Sequence, residues 1–212
     1  MSEASIKAGS DRYAGTVVLD RFGPTLDDWH QEGLGEFRLD GDRMVIDARE
    51  GGYSAFFKKD LPADIAVRYR VKSVPPYQQN NFNLISHCRP PKTGWPIVEL
   101  GRYPGYREFE NYIVTFVSDR DRDEWGDETV TAGRVRFRRN PGFELNRERE
   151  PDNAYGREYE IVYAVENGVM HYYIDGNKID DWRDPEPIGG GFFAFRTYCT
   201  VAEYRDPLFI AL

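Results

Sequence analysis

Four stretches of the sequence carry polar or aromatic side chains at spacings that could support chemistry, and the first is Phe82–Arg89. Asn83, His87 and Arg89 are two or four residues apart, so an extended strand would direct all three to one face, opposite Cys88. His87 could act there as an acid or base, and Arg89 could hold a carboxylate. The alternative is a solvated sheet face on which the histidine only makes a structural hydrogen bond.

The second stretch is a loop framed by glycine and proline, residues 101–106, in which two tyrosines offer flat apolar surfaces with polar tips. Tyr103 and Tyr106 have the shape that stacks on a sugar ring, and Trp95 could add a third platform. The loop also contains Arg102, and carboxylates flank it at Glu99, Glu108 and Glu110. The alternative is that these aromatic side chains only fix a long loop to the core.

The other two stretches are arginine-bearing strands. Arg134, Arg136 and Arg138 alternate with apolar residues, and three guanidinium groups on one face repel one another unless water or an anion screens them. A sulfate, phosphate or uronate carboxylate would suit them, although solvated charges that protect an edge strand from aggregation fit equally well. Arg196 and Tyr198 share one face of an otherwise apolar strand. Arg196 must therefore belong either to a buried ion pair or to a ligand clamp.

Several established catalytic patterns are missing from the sequence. There is no GxSxG, HExxH, phosphate-binding loop or GxGxxG, and the two cysteines, Cys88 and Cys199, lack the spacing of a zinc site. We therefore expect no metal and no other cofactor. The E-x-D-x-E pattern of many sandwich-fold glucanases is also absent, which disfavours a standard retaining glucanase but leaves a carboxylate pair from loops open.

Alternation of apolar and polar residues with a period of two predicts that these residues lie on β-strands. The clearest strand is Ile65–Val74, and Asn167-Gly168 and Asp175-Gly176 are dipeptides that favour tight hairpin turns. We count about eleven or twelve short strands, joined by Gly, Pro, Asn and Asp. This number predicts an all-β, two-sheet antiparallel sandwich of the jelly-roll type, and a closed barrel is the alternative.

Composition limits the class of protein. The chain has 212 residues, a net charge of −8 and an aromatic content of 15%, which together indicate a folded chain and argue against a nucleic-acid partner. No run approaches the ~18 apolar residues of a membrane helix, and the N-terminus lacks the pattern of a secretory signal, so we expect a cytoplasmic protein without a membrane partner. We expect a loose tail over residues 1–13 and one sandwich domain over 14–212.

Several motifs together resemble a known family. They are an early Asp20, Phe22, Gly23 and Trp29, the stretches GRYPGYREFENYIVTF and GRVRFRRNPGF, and a closing YYIDG followed by GFFAFRT. From about residue 16 to the C-terminus the chain resembles the YesU-like family of concanavalin A-like domains, and more distantly the keto-disaccharide hydrolase type of sandwich domain. The resemblance implies a galectin-like or glucanase-like sandwich that acts on fragments of acidic polysaccharides. It does not assign catalytic roles to any residues of this sequence.

These observations lead to one main hypothesis, an enzyme that acts on an anionic, uronate-containing oligosaccharide in a cleft on the concave sheet. In an elimination, Arg89, Arg136 or Arg196 would neutralise the carboxylate, His87 or Tyr103 would remove the neighbouring carbon-bound proton, and Tyr106 would protonate the leaving oxygen. In a hydrolysis, Glu99 and Glu108 would be the acid and the base.

Two alternatives belong to other classes of protein. A lectin-like module would bind the same sugars without chemistry, using Trp95, Tyr103 and Tyr106 as platforms. The third possibility is a sandwich whose exposed sheet edge serves protein association, which would produce a homodimer with a large interface.

Overall fold

The computed structural model describes residues 2–22, 26–40, 42–76, 79–92, 94–118 and 133–212. In these residues it contains sixteen β-strands and two short 3-10 helices, Glu99–Gly101 and Tyr103–Arg107. The strands, in chain order from β1 to β16, are Glu3–Ala8, Asp11–Asp20, Trp29–Gly33, Glu36–Asp40, Arg43–Asp47, Gly52–Leu61, Ile65–Ser73, Asn81–Cys88, Asn111–Ser118, Gly133–Asn140, Glu144–Arg149, Tyr159–Glu166, Val169–Ile174, Asn177–Arg183, Gly191–Tyr198 and Val201–Ala211.

The strands form two sheets. The nine-stranded sheet has the order β1-β2-β16-β7-β12-β13-β14, with the β4–β5 hairpin joined to β16, and the seven-stranded sheet has the order β11-β10-β9-β8-β15-β6-β3. Neighbouring strands run antiparallel, as between β8 and β9, and the core lies between the sheets. The predicted two-sheet antiparallel sandwich is therefore confirmed.

Aromatic side chains from both sheets fill the space between them. Trp29 and Phe195 stack with ring centroids 5.8 Å apart, and Tyr69 of the other sheet meets Phe195 edge-on at 4.9 Å. Each tyrosine hydroxyl in such a core needs a partner, and Tyr163 has one in Ser86, 2.7 Å away. The inward residues of each strand are thus committed to packing, which leaves the outward residues free for a binding site.

Hairpin turns are where the sequence signals were most reliable. Asn167 and Gly168 have φ of 51° and 74°, and Asp175 and Gly176 have φ of 50° and 75°. Positive φ at both central positions is the geometry that Asn-Gly and Asp-Gly favour, because its twist matches that of the flanking strands. The charged loop at 119–131, which also attracts attention in the sequence, lies outside the described residues.

The N-terminal segment differs from the expected loose tail. Glu3–Ala8 forms β1, which pairs with β2, and the hairpin lies over the outer face of the nine-stranded sheet. Ile6 is fully buried there in a cluster that includes Ala66 of β7 and Val162 of β12. The segment is polar except at alternate positions, so its short apolar face was easy to overlook.

Among the described residues, no helix has the length and hydropathy needed to cross a membrane.

This packing predicts a large effect of a small change near the N-terminus. Ile6→Ala should lower the free energy of unfolding by about 2–4 kcal/mol, because it leaves a cavity under β1. Denaturation in urea measures this difference. Lys7→Ala is the control, because Lys7 is exposed on the same strand. Equal stability of both variants would mean that β1 does not pack on the sheet.

Candidate functional site

Strand register places four polar side chains in one line on the outer face of the seven-stranded sheet. Arg196 of β15 lies opposite Asn83 of β8, Asn83 lies opposite Thr115 of β9, and Thr115 lies opposite Arg136 of β10. We call these four residues the cross-strand row. Three spacings of about 4.8 Å between strands set its ends roughly 14 Å apart. Side chains that are distant in the sequence therefore face the same volume.

A pocket of about 600 Å³ lies over this row. Thirteen described residues line it, mostly polar or cationic: Gln79, Asn81, Asn83, Tyr103, Thr115, Val117, Ser118, Arg134, Arg136, Arg138, Phe143, Arg196 and Tyr198. We call it the arginine pocket. Four of these residues are arginines, and none of these described lining residues is Asp or Glu. The pocket is therefore cationic, although the whole chain has a net charge of −8.

Two aromatic rings separate the guanidinium groups at one side of the pocket. Phe143 lies between Arg107 and Arg138, whose guanidinium carbons are 3.8 Å and 4.0 Å from its ring centroid. Tyr103 meets Phe143 edge-on and carries Arg196 over its own ring at 4.4 Å. Cation–π contacts of this kind stabilise cations that have no carboxylate partner. The aromatic rings thus allow several cations to share one site.

Arg196 is the most deeply buried of these cations. Only 3% of its surface is exposed, its Nε has no hydrogen-bond partner, and it makes no ion pair with any described residue. Burial lowers its pKa from the ordinary value, although an arginine stays charged at any physiological pH. By contrast, Arg136 is paired with Glu148 of β11. An anion entering the pocket would supply the acceptor that Arg196 lacks.

Asn83 adds a buried acceptor beside this cation. Its Nδ2 donates to Asn81 Oδ1 at 2.5 Å, while its Oδ1 has no donor among the described residues. A ligand hydroxyl could donate to that oxygen. The pocket therefore offers a cation and a hydroxyl acceptor side by side, which are the partners that a sugar acid needs.

A buried carboxylate holds the loop that carries Tyr103. Glu32 of β3 accepts hydrogen bonds from the Val98 backbone N–H at 3.1 Å, from the Tyr106 hydroxyl at 2.8 Å and from the backbone N–H of Ile97. Burial raises the pKa of Glu32, and these three donors act against that rise. Tyr106 itself is fully buried and cannot meet a ligand. Glu32 thus positions the rim of the pocket without facing it.

The expectation that His87 shares a face with Asn83 is wrong. His87 has a φ of 52°, and the pairing of β8 with β15 shifts register at this point, as in a β-bulge. Its Nε2 bonds the Ala63 carbonyl oxygen at 2.8 Å, and its ring packs against Tyr112 of the core. The bulge breaks the alternation, so His87 lies outside the pocket. Arg89 is also outside, since its Nε donates to the Gly189 carbonyl oxygen at 2.8 Å.

The aromatic and acidic residues of the central loop also separate. Trp95 stacks on His30 with ring centroids 4.5 Å apart, and it does not line the arginine pocket. Glu99 and Glu108 are exposed and lie outside the pocket, so they do not form the carboxylate pair that hydrolysis would need there. Arg102 lines a smaller neighbouring cavity. Among the candidates, the pocket brings together Asn83, Tyr103, Arg134, Arg136, Arg138, Arg196 and Tyr198.

Sequence reasoning missed several residues of the site. Thr115 could have been found from the sequence, because it occupies an outward-facing position on a predicted strand. Arg107 and Phe143 lie within the stretches that suggested a resemblance, but nothing in the sequence indicates that their side chains meet. Glu32 carried no signal at all. Among the described residues, no three His, Cys, Asp or Glu side chains are grouped so that they could hold a metal ion.

Comparison with known proteins identifies the fold. No family model and no curated protein matches the chain. A Bacillus subtilis protein of unknown function with a galectin-like fold is similar over 92% of this chain and 96% of its own, at a TM-score of 0.70 and 17% identity. The carbohydrate binding module CBM66 from Bacillus subtilis covers 87% and 96% at a TM-score of 0.64 and 11% identity.

Two further structures extend this comparison. The exoplasmic/lumenal domain of VIP36, in a form that holds Ca²⁺ and Man3GlcNAc, covers 93% of this chain and 90% of its own at a TM-score of 0.68 and 10% identity. A Bacillus licheniformis β-glucanase covers 93% and 99% at a TM-score of 0.57 and 8% identity. The chain therefore has the predicted jelly-roll sandwich of the galectin-like and concanavalin A-like type.

Proposed function

We propose that the chain binds an acidic oligosaccharide, one that contains uronic acid, in the arginine pocket. The observation that carries this proposal is Arg196, a buried guanidinium with an unpaired Nε that stands in one row with Asn83, Thr115 and Arg136. The choice of a saccharide is supported by the structural neighbours, which include a carbohydrate binding module and VIP36 with Man3GlcNAc. We also propose, from the quoted motifs, membership of the YesU-like family.

The chemistry of the row matches a sugar acid better than a neutral sugar or a simple anion. A planar carboxylate suits the fork of a guanidinium, so Arg196 would hold the uronate group. The Asn83 and Thr115 side chains between the two arginines would bond ring hydroxyls, and the exposed Tyr198 offers a flat surface for the apolar face of a ring. The row is longer than one sugar ring, which favours an oligosaccharide.

Calorimetry with matched acidic and neutral sugars tests this proposal. We expect trigalacturonate to bind at least about tenfold more tightly than neutral galactotriose, because each factor of ten needs only about 1.4 kcal/mol from the cationic groups. We also expect the preference to shrink as salt concentration rises, since salt screens the partly exposed arginines. Equal affinity for the two sugars, or a preference that salt leaves unchanged, would contradict an anionic ligand.

Elimination is a second candidate function, favoured by the position of Tyr103 among cations. Burial raises the pKa of this tyrosine, while Arg196, Arg138 and Arg107 act to lower it. As a phenolate, Tyr103 would remove the proton from the carbon that bears the carboxylate. The C–H electron pair would form a C=C bond as the adjacent C–O bond breaks, and the departing oxygen would take the proton from Tyr103. Arg196 would stabilise the charge that develops on the carboxylate.

Tyr103→Phe separates chemistry from binding. If the chain is a lyase, we expect trigalacturonate to yield a product with new ultraviolet absorbance from its double bond, faster at alkaline pH because the raised pKa must be overcome. Tyr103→Phe should abolish this signal and change the dissociation constant by less than about threefold, about 0.7 kcal/mol. If the unmodified protein binds the sugar and leaves it intact, it is a binding protein only.

Residence in the cytoplasm and homodimer formation stay predictions from the sequence.

A further inference from the structure

A second cavity of about 310 Å³ adjoins the arginine pocket, and the two share Tyr103, Arg196 and Tyr198 as a common wall. On the far side of this wall the character of the surface changes. Apart from this wall, the second cavity is lined by apolar residues and one cation: Leu34, Leu100, Pro104, Gly51, Gly52, Gly101 and Arg102. We call this cavity the apolar subsite. A ligand in the arginine pocket would therefore reach a non-polar surface directly beside the charged one.

Exposed hydrophobic side chains are concentrated at this subsite. Among the described residues, four large hydrophobic side chains are exposed, and three of them line the cavity: Leu34 at 55%, Leu100 at 52% and Tyr198 at 46%. The fourth, Leu145, lies on β11 and lines neither cavity. Single exposed leucines are common, but grouping in one concave place is typical of a binding surface.

The backbone of Leu100 supports the same conclusion independently. Leu100 has a φ of 55°, the left-handed conformation that a branched, bulky residue rarely adopts and that costs on the order of 1 kcal/mol. The residue is only about half buried in return, since 52% of its surface faces solvent. A strained and exposed leucine gains its stabilisation only when an apolar partner covers it.

Two glycines allow the side chains at the subsite to pack close to the backbone. A Cβ atom at Gly52 would lie 2.4 Å from Nη2 of Arg196, so a side chain there would displace the guanidinium group. The absence of side chains at Gly51 and Gly52 lets Leu34 and Arg196, which both line the cavity, lie close to the backbone. A volume of about 310 Å³ is sufficient for a single aromatic ring.

We propose that the apolar subsite binds an aromatic ring attached to the acidic sugar that the arginine pocket holds. The ligand is then an aryl glycoside of a uronic acid, which keeps its carboxylate free. This inference rests on the proposed function, because the carboxylate must first be held by Arg196 to place the ring. Because Tyr103, Arg196 and Tyr198 line both cavities, one ligand could place its sugar in the arginine pocket and its ring in the apolar subsite.

Calorimetry with two small probes tests the inference on the full chain. Methyl β-D-glucuronide and 4-nitrophenyl β-D-glucuronide carry the same carboxylate, and only the second has a ring. We expect the aryl compound to bind about tenfold more tightly. The ring would be only partly buried in the open subsite, so the free energy gained should lie near the lower end of the range for burying an aromatic side chain. Leu100→Asn and Leu34→Ser should remove this advantage and leave the affinity for the methyl compound unchanged. Asparagine tolerates the left-handed conformation, so Leu100→Asn should also fold normally.

Leu145→Ser is the matched control, because it removes a similarly exposed leucine that lines neither cavity. The inference is overturned if the unmodified protein binds both glucuronides equally, or if Leu100→Asn and Leu34→Ser keep the aryl preference. Those outcomes leave the acidic-sugar proposal intact. If neither glucuronide nor trigalacturonate binds, the proposed function is wrong, and the inference about the ring falls with it.

Discussion

Replacing Arg196 with methionine is expected to weaken the binding of trigalacturonate by at least about a hundredfold without destabilising the protein. Loss of one partner of a buried charge pair in a complex costs about 2–5 kcal/mol, and a hundredfold change is about 2.7 kcal/mol. The free protein should respond in the opposite direction. Its buried guanidinium has no ion-pair partner among the described residues, so an apolar side chain of similar length removes a desolvation cost.

Two measurements test this prediction together. Calorimetry gives the affinity, and urea denaturation gives the free energy of unfolding, which we expect to stay equal or to rise by about 1–2 kcal/mol after the contact with Tyr103 is lost. Gly52→Ala retains the arginine but displaces its guanidinium, and it should weaken binding less than Arg196→Met does. Arg38→Met is the control, because Arg38 is exposed on β4 of the other sheet. Unchanged affinity together with a large loss of stability would make Arg196 a structural residue.

Removing the carboxylate of Glu32 should have the largest effect on stability. Glu32→Ala leaves two backbone N–H groups and the Tyr106 hydroxyl without their acceptor, and we expect a loss of about 3–5 kcal/mol in the free energy of unfolding. The loop that carries Tyr103 should also lose its position, so affinity for trigalacturonate should fall. Glu50→Ala is a suitable control, because Glu50 is an exposed glutamate.

The pH dependence of stability provides a second test of Glu32 with a definite sign. Burial raises its pKa in the folded protein, so the part of its stabilisation that comes from this shift is fully present below the pKa of the unfolded chain and is lost as pH rises through the folded pKa. Glu32→Gln removes that titration and keeps the shape of the side chain. The stability of the unmodified protein minus that of Glu32→Gln should therefore increase as pH falls through this window. A difference that stays constant with pH would show that Glu32 is not titrating in this way.

The outward direction of the arginines on β10 is a property that the sequence determined by itself. Val135 and Phe137 are apolar, and alternation along a strand forces Arg134, Arg136 and Arg138 to the opposite face. The hairpin turns followed from local chemistry for the same reason, because Asn-Gly and Asp-Gly adopt positive φ at little cost. Enough such local signals predicted the two-sheet sandwich.

The composition of the site was decided only by the tertiary structure. The left-handed backbone conformation at position 87 reverses the alternation of side-chain direction along β8 and directs His87 away from the pocket. A histidine at this position does not by itself indicate that conformation. Tyr103 and Tyr106 look equivalent in the sequence, yet Tyr106 is bound to a carboxylate 74 positions away while Tyr103 lines the arginine pocket. Register, bulges and long-range hydrogen bonds depend on which strands meet, and pairing between distant segments leaves no local trace in the chain.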